Sequence, residues 1–351
     1  MKFDHRTLPQ RVRFGSAGAA AALAAEVAER GAQAVMVIGA PSEAELARSI
    51  AAGIEVALLW DDVAPHVPIA HAERARAAAR DAGIDLVVSV GGGSTTGLAK
   101  AIALTERLPI VAVPTTYAGS EATNVWGLTT DSRKTTGVDD VVLPAVVIYD
   151  AALTLSLPVE LSVASGLNAI AHCIDSMWAP NSDPLNRALA EEGIREVAAA
   201  LPAIVADVGD VPARERMLYG AYVSAVAFAS AGSGLHHKIC HVLGGAYDLP
   251  HAQTHSAVLP QVLAFNVGAS AEAEERIARA LGASSAVRGL DSLYASIPAT
   301  RALADVGYRA ESIPESAGLI LPLVPPSNPR PVHERDLEGI LQAALEGRRI
   351  G

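Results

Sequence analysis

LVVSVGGGSTTGLAK, residues Leu86–Lys100, is the stretch from which the fold can be read. A short run of apolar, mostly β-branched residues, Leu86–Val90, passes directly into Gly91-Gly92-Gly93-Ser94, and residues suited to a helix follow through Lys100. A buried strand, a glycine turn and a helix make the repeating unit of a parallel sheet covered on both faces. Glycines let a ligand approach the backbone. The free amides at the helix N-terminus, with the positive end of its dipole, suit a phosphate. The same turn could be no more than a tight connection. It is not a GxGxxG fingerprint after the first strand, and no Walker lysine follows it. A second strand end, Val113–Glu121 (VPTTYAGSE), again sets polar residues at a strand's C-terminal edge, where open α/β sheets hold ligands. Two such adjacent loops favour a dinucleotide.

Outward from this stretch, the first 150 or so residues alternate candidate strands with Ala-rich helices. The strands are Ala34–Ile38, Val56–Trp60, Leu86–Val90, Ile110–Val113 and Val146–Tyr149; the helices are Gly18–Gly31, Pro41–Gly53, Ala70–Ala82 and Thr95–Glu106. Beyond Asp150 the texture is helical, as in Asn186–Val205 and Arg214–Ala229, and no convincing strand is found. Ser156–Gly166 would carry the chain across. The expected architecture is an N-terminal doubly wound parallel-sheet nucleotide-binding domain (1–155) and an all-α C-terminal domain (156–351), with the ligand in the cleft between them. The 351 residues suffice for two cores.

A formal charge of −11 argues against a basic surface for nucleic acid or anionic membrane. There is no run of about 20 apolar residues and no apolar leader in MKFDHRTLPQ. Two cysteines, Cys173 and Cys240, suggest a reducing compartment, and buried inert thiols are commoner than nucleophiles. A cytosolic chain is expected.

Five of the ten histidines, His236, His237, His241, His251 and His255, fall within Gly234–Ser256. His237 and His241 are four apart and share a helix face; Asn168 and His172 repeat that spacing elsewhere. Single histidines are commonly surface or satisfied core residues, and His236 and His255 admit that reading. Five in one window ask for chemistry.

Taken together, these segments resemble the group III, iron-type alcohol dehydrogenases. The matches are Gly91–Lys100, Pro114–Glu121, Gly166–His172 and His237–His251, and the resemblance runs nearly end to end. Within that superfamily, NAIAHCID, LHHKICHVLGG, DLPHAQTHSAVLP and NPRPVHERDLEGIL look like the maleylacetate reductases. The resemblance implies a dehydroquinate-synthase-like fold and a homodimer. It places the dinucleotide's pyrophosphate on Gly91, Gly92, Gly93 and Ser94. Thr115, Thr116, Tyr117 and Ser120 would surround the rest of the cofactor, and Lys134 would point at it. NAD-selective relatives often carry an aspartate where Gly39 stands here, so NADH is expected with NADPH tolerated.

The resemblance also implies a metal held by one Asp and three His, at positions matching Asn168, His172, His237 and His251, with His241 an additional catalytic histidine. The carboxylate is an amide here. A neutral ligand removes charge that offsets a divalent cation, so a catalytic metal is not expected. The reaction implied is reduction of the C=C of maleylacetate, a dicarboxylate enone, to 3-oxoadipate in aromatic-compound breakdown. Hydride addition conjugate to a ketone makes a delocalised enolate, which hydrogen-bond donors can stabilise. A donor-rich, partly cationic pocket of His172, His237, His241 and His251 is expected, with His241 as proton donor. Lys238 and Arg330 are further candidates for a substrate carboxylate. The rival readings are a metal-dependent alcohol or polyol dehydrogenase, a dehydroquinate-synthase-like lyase and a non-enzymatic nucleotide binder.

Overall fold

The computed structural model describes residues 2–130 and 133–350, without the side chains at 133 and 134. The chain divides into two compact units, Thr7–Leu157 and Met1–Arg6 with Pro158–Gly351. The first six residues thus go with the helical unit. His5 explains why: its Nδ1 lies 2.7 Å from Asp183 Oδ2, and Asp183 caps a helix of that unit.

The first unit runs β1 (Arg11–Phe14), α1 (Ala19–Arg30), β2 (Val35–Ile38), α2 (Ala44–Ile50), β3 (Val56–Trp60), α3 (Ile69–Asp81), β4 (Leu86–Gly91), α4 (Gly93–Glu106), β5 (Ile110–Pro114), β6 (Val125–Thr130), β7 (Arg133–Val138) and β8 (Val146–Tyr149). Six strands form one parallel sheet in the order β1-β8-β5-β4-β2-β3. β2, β4, β5 and β8 are buried along their whole length, as strands covered on both faces must be. Successive side chains alternate between two cores. Val35, Val37, Val88 and Val90 meet Leu23 and Val27 of α1 and Ile50 of α2. Met36, Ile38 and Val87 meet Ala72 and Ala75 of α3 and Leu98 and Ile102 of α4. Each such aliphatic side chain contributes about 1.5–3 kcal/mol on burial.

Three strands of this unit are absent from the sequence expectation. β1 is an edge strand of sequence RVRF, whose arginines break the apolar signal; Arg13 Nε reaches the buried Glu26 at 3.1 Å and Arg11 Nη1 reaches Glu29 at 2.8 Å. β6 and β7 form an antiparallel hairpin, registered from Val125↔Val138 to Thr130↔Arg133, with half-buried or exposed side chains along β6. Helix Pro41–Gly53 is shorter than expected: Pro41–Glu43 is a 3-10 turn and α2 ends at Ile50.

The second unit is helical, with no strand among its described residues: α5 (Val159–Ser176), α6 (Pro184–Ala206), α7 (Val211–Ala231), α8 (Leu235–Tyr247), α9 (His251–Asn266), α10 (Ala271–Ala280), α11 (Ala286–Ser296), α12 (Ile313–Ile320) and α13 (Glu334–Glu346). Asp183 starts α6 by accepting the amides of Leu185 and Asn186, with Pro184 at the first helical position. α5, α6 and α7 pack on one another, and α9 packs on both α5 and α8. Leu235, Ile239 and Leu243 lie on one face of α8 and share a core with Val258 and Val262 of α9 and Leu337 and Leu341 of α13. Among the described residues, no single helix is long and apolar enough to cross a membrane.

Candidate active site

In the first unit the glycine turn lies where the sheet changes direction. From β2 the chain goes outward to β3, and from β4 it goes the other way to β5, so the crevice above the ends of β2 and β4 is the switch point. Gly91 ends β4 with φ +151°, a conformation open to glycine. A Cβ there would lie 2.5 Å from both Thr95 Oγ1 and Glu43 Oε2. Gly92 precedes α4 without any side-chain cap, which leaves the first amides of the helix pointing outward, a ready anion cradle. Gly92, Gly93 and Ser94 are partly exposed.

The second loop is braced from below by Lys100. Its buried ammonium donates to Ser120 O (2.6 Å), Thr123 O (2.8 Å), Thr123 Oγ1 (3.0 Å) and Val125 O (2.8 Å). Burial draws its pKa down to about 7, and the nearby Glu121 carboxyl opposes that fall. Thr115 donates from Oγ1 to Glu43 Oε1 at 2.6 Å, and Thr116 and Ser120 are partly exposed. Tyr117 departs from the expected arrangement. Its ring is fully buried and its hydroxyl donates to Thr154 at 3.2 Å, so its side chain serves the core. Lys134 lies on β7, and its side chain is outside the described residues.

In the second unit, α5, α8 and α9 bring the histidines together. Asn168, His172 and Asp175 line one face of α5, one turn apart. His237 is the hub: its ring lies 4.9 Å from His172, 4.7 Å from His255, 5.2 Å from His236 and 6.0 Å from His241, centroid to centroid. His251 lies 4.3 Å from His255 and 6.5 Å from His241. Phe228 of α7 caps the stack, 4.6 Å from His172 and 4.3 Å from His237. Five expected histidine and asparagine positions thus fall on the same three helices. Lys238 follows His237 on α8 and is partly exposed. Arg330 is elsewhere, with its guanidinium 4.2 Å over Phe265 and 3.8 Å from Asp336.

Asp175, absent from the sequence reading, organises the cluster. Its Oδ2 accepts from Gly234 N (3.0 Å), His237 N (3.1 Å) and His237 Nδ1 (2.7 Å), and its Oδ1 accepts from His236 N (3.3 Å). One carboxylate therefore caps the N-terminus of α8 and orients an imidazole, and an ionised acceptor makes such bonds strong. Burial pushes its pKa up to about 7 against the pull of these amides. A Cβ on Gly234 would lie 2.5 Å from Asp175 Oδ1, so the position has room only for glycine. The sequence did carry one signal for Asp175: it continues the Asn168–His172 face by a further turn.

The electrostatics correct the expectation of a partly cationic pocket built from all four histidines. Burial drives His172 and His236 down to about 3 and His237 and His255 well below the ordinary imidazole value, with neighbouring histidines adding to the fall. These four are neutral at pH 7. His241 and His251 are exposed. His236 and His255, read as possible bystanders, form a buried pair with Nε2 to Nδ1 at 2.9 Å. Cys240 and Cys173 are buried free thiols with raised pKa, inert as nucleophiles.

A strand-end phosphate cradle in one unit and an imidazole cluster on three helices in the other coincide with two family models. The model described as iron-containing alcohol dehydrogenase matches residues 9–151, and that described as Fe-containing alcohol dehydrogenase family, C-terminal, matches 162–345. The chain belongs to the iron-containing alcohol dehydrogenase family. It is an oxidoreductase. It is 45% identical over 349 residues to a chain from Sphingobium indicum named maleylacetate reductase, covering 99% of this chain and 98% of that one. A Burkholderia cepacia chain of the same name is 44% identical over 341 residues, covering 97% and 96%. Among solved structures, an iron-containing alcohol dehydrogenase from Corynebacterium glutamicum is 58% identical with TM-score 0.99, covering 100% of this chain and 98% of that one. A maleylacetate reductase from Agrobacterium tumefaciens is 38% identical with TM-score 0.95, covering 99% of each.

The family name implies iron, and the residues at the matching positions fit it poorly. Asn168 brings no charge, and the nearest carboxylate, Asp175, is engaged by four N–H donors. Among the described residues, the one histidine trio with ring nitrogens all within 4.8 Å is His236, His237 and His255, which shares only His237 with the implied set. Asn168 Oδ1, His172 Nδ1 and His237 Nε2 are buried without partners among the described residues. A neutral amide oxygen and neutral imidazoles at these positions leave a dication without charge compensation.

Proposed function

We propose that this chain reduces the conjugated C=C of maleylacetate to 3-oxoadipate with NADH. The observation that carries the reading is the end-to-end identity to chains named maleylacetate reductase, 40–45% over nearly the whole length. The neutral imidazole cluster, with an amide in place of the family's acid, supports it.

Hydride from the reduced nicotinamide adds to the alkene carbon remote from the ketone, and the C=C electron pair moves to make an enolate. A proton then joins the carbon beside the ketone, so maleylacetate, NADH and one proton give 3-oxoadipate and NAD⁺. A delocalised enolate is stabilised by neutral donors. Asn168 through its amide and His172 through its ring N–H supply them from one face of α5. His237 is held by Asp175 with its Nδ1 proton directed away, which presents Nε2 to the substrate. His241, exposed on α8, delivers the proton and recovers it from solvent. Lys238 offers charge for a substrate carboxylate. Gly91–Ser94 would hold the pyrophosphate, with Thr115, Thr116 and Ser120 beside it. Gly39 by itself leaves a 2′-phosphate unopposed and would admit NADPH too. A cytosolic homodimer without nucleic-acid or membrane partners completes the reading; the charge of −11 and two buried free thiols agree with it.

The test is steady-state oxidation of NADH with maleylacetate, against a panel of aldehydes and polyols, on protein of measured metal content with and without chelator. Turnover of maleylacetate that survives chelation is expected. Turnover of simple aldehydes alone, restored by iron or zinc after chelation, would establish the alcohol dehydrogenase alternative.

A further inference from the structure

The crevice above β2 and β4 holds a carboxylate that the glycine at the end of β2 does not account for. In dinucleotide-binding sheets an acid near a strand end takes the adenosine ribose hydroxyls. Here that place is closed: a Cβ on Gly39 would lie 2.8 Å from the Cβ of Ala47 on α2. Four residues later the turn Pro41–Glu43, closed by Glu43 N donating to Ala40 O at 2.8 Å, brings Glu43 back over the sheet edge. Its Oε1 accepts from Thr115 at the end of β5 (2.6 Å), and its Oε2 lies 2.5 Å from where a Cβ on Gly91 would sit. Among the described residues no cation pairs with this carboxylate, and Oε2 has no hydrogen-bond donor. An uncompensated negative charge beside a phosphate cradle is unfavourable for the dinucleotide unless hydroxyl groups, not phosphates, meet it.

We propose that Glu43 selects NADH over NADPH, accepting from the adenosine ribose hydroxyls and repelling a 2′-phosphate. The glycine at 39 then reflects crowding by Ala47, and the charge that discriminates comes from the following turn. This reverses the expectation of NADPH tolerance drawn from Gly39 alone. The inference rests on the reading of the chain as a nicotinamide-dependent reductase.

The experiment is titration of the full-length protein with NADH and with NADPH, followed by nicotinamide fluorescence without substrate, for the wild type, Glu43→Gln and Glu43→Asp. Glu43→Gln keeps the shape and the bond from Thr115; equal thermal midpoints would establish that the fold is kept. The wild type is expected to bind NADH at least about 30-fold more tightly, from the repulsion of like charges at close range. In Glu43→Gln the ratio narrows about tenfold or more, mostly through tighter NADPH binding. Glu43→Asp retains the preference for NADH. Equal binding of both dinucleotides by the wild type, or an unchanged ratio in Glu43→Gln, overturns the role of Glu43 while leaving the reductase reading in place. Failure of the wild type to bind both dinucleotides overturns Glu43's role and the reductase reading together.

Discussion

Replacing Asp175 with alanine tests the organisation of the imidazole cluster most directly. The carboxylate accepts four hydrogen bonds, from the amides of Gly234, His236 and His237 and from His237 Nδ1, and it is fully buried. Each orphaned buried donor costs about 1–3 kcal/mol; with water reaching some of them, the total loss is about 3–6 kcal/mol. For a unit of nearly 200 residues that corresponds to a fall of about 10 °C or more in the unfolding midpoint. Asp175→Asn is milder. With its amide oxygen at the Oδ2 position it keeps three of the four bonds and gives up the 3.3 Å bond from His236, for about 1 kcal/mol. Activity separates the two further. Asp175 acts through His237, so kcat should fall about 10²-fold or more in Asp175→Ala and about tenfold in Asp175→Asn, with KM nearly unchanged. Steady-state NADH oxidation with maleylacetate, together with thermal unfolding followed by circular dichroism, measures both effects. An alanine variant within about 1 kcal/mol of wild-type stability and threefold of its kcat would refute the assigned role of Asp175.

Three further outcomes follow from the same geometry. The four buried neutral histidines have pKa values below those of the unfolded chain, so their stability contribution is complete above about pH 6.5 and is lost as pH falls below it, toward about 3 for His172 and His236. Asp175, raised to about 7, acts in the opposite sense between its ordinary value and 7 and offsets about one histidine's share. Urea midpoints at pH 7 and pH 5 should show the net loss on acidification, and equal midpoints would contradict the buried cluster. Gly234→Ala, whose added Cβ falls 2.5 Å from Asp175 Oδ1, should cost about 1–3 kcal/mol and lower kcat in parallel with the Asp175 variants, as urea unfolding and turnover will report. Lys100→Met strands three backbone carbonyls that brace the loop after β5. NADH binding should weaken about tenfold, at a stability cost of about 3 kcal/mol, and unaltered nucleotide affinity would disconnect that brace from the cofactor.

Much of the architecture was legible before any coordinates. Runs such as Leu86–Val90 and Val146–Tyr149 are apolar throughout because both faces of the sheet are covered, and that pattern needs no knowledge of the partner strands. The strands that the sequence does not mark, β1 and the β6–β7 pair, are edge or hairpin strands; where burial is partial, charged residues such as Arg11 and Arg13 are tolerated and the periodicity weakens. The histidines were legible as a cluster because five of them share one short window.

What the sequence determined by itself was the class of fold and the residue types brought to the site, since local periodicity, glycine turns and motif spacing are properties of neighbouring residues. Only the tertiary structure decided which imidazoles are neutral and which are exposed, because charge state follows burial by helices distant along the chain. It also decided that Asp175 grips α8, that Tyr117 belongs to the core, and that Glu43 stands beside Gly91. Each of those depends on a distance between residues far apart in sequence, and no spacing along the chain encodes it.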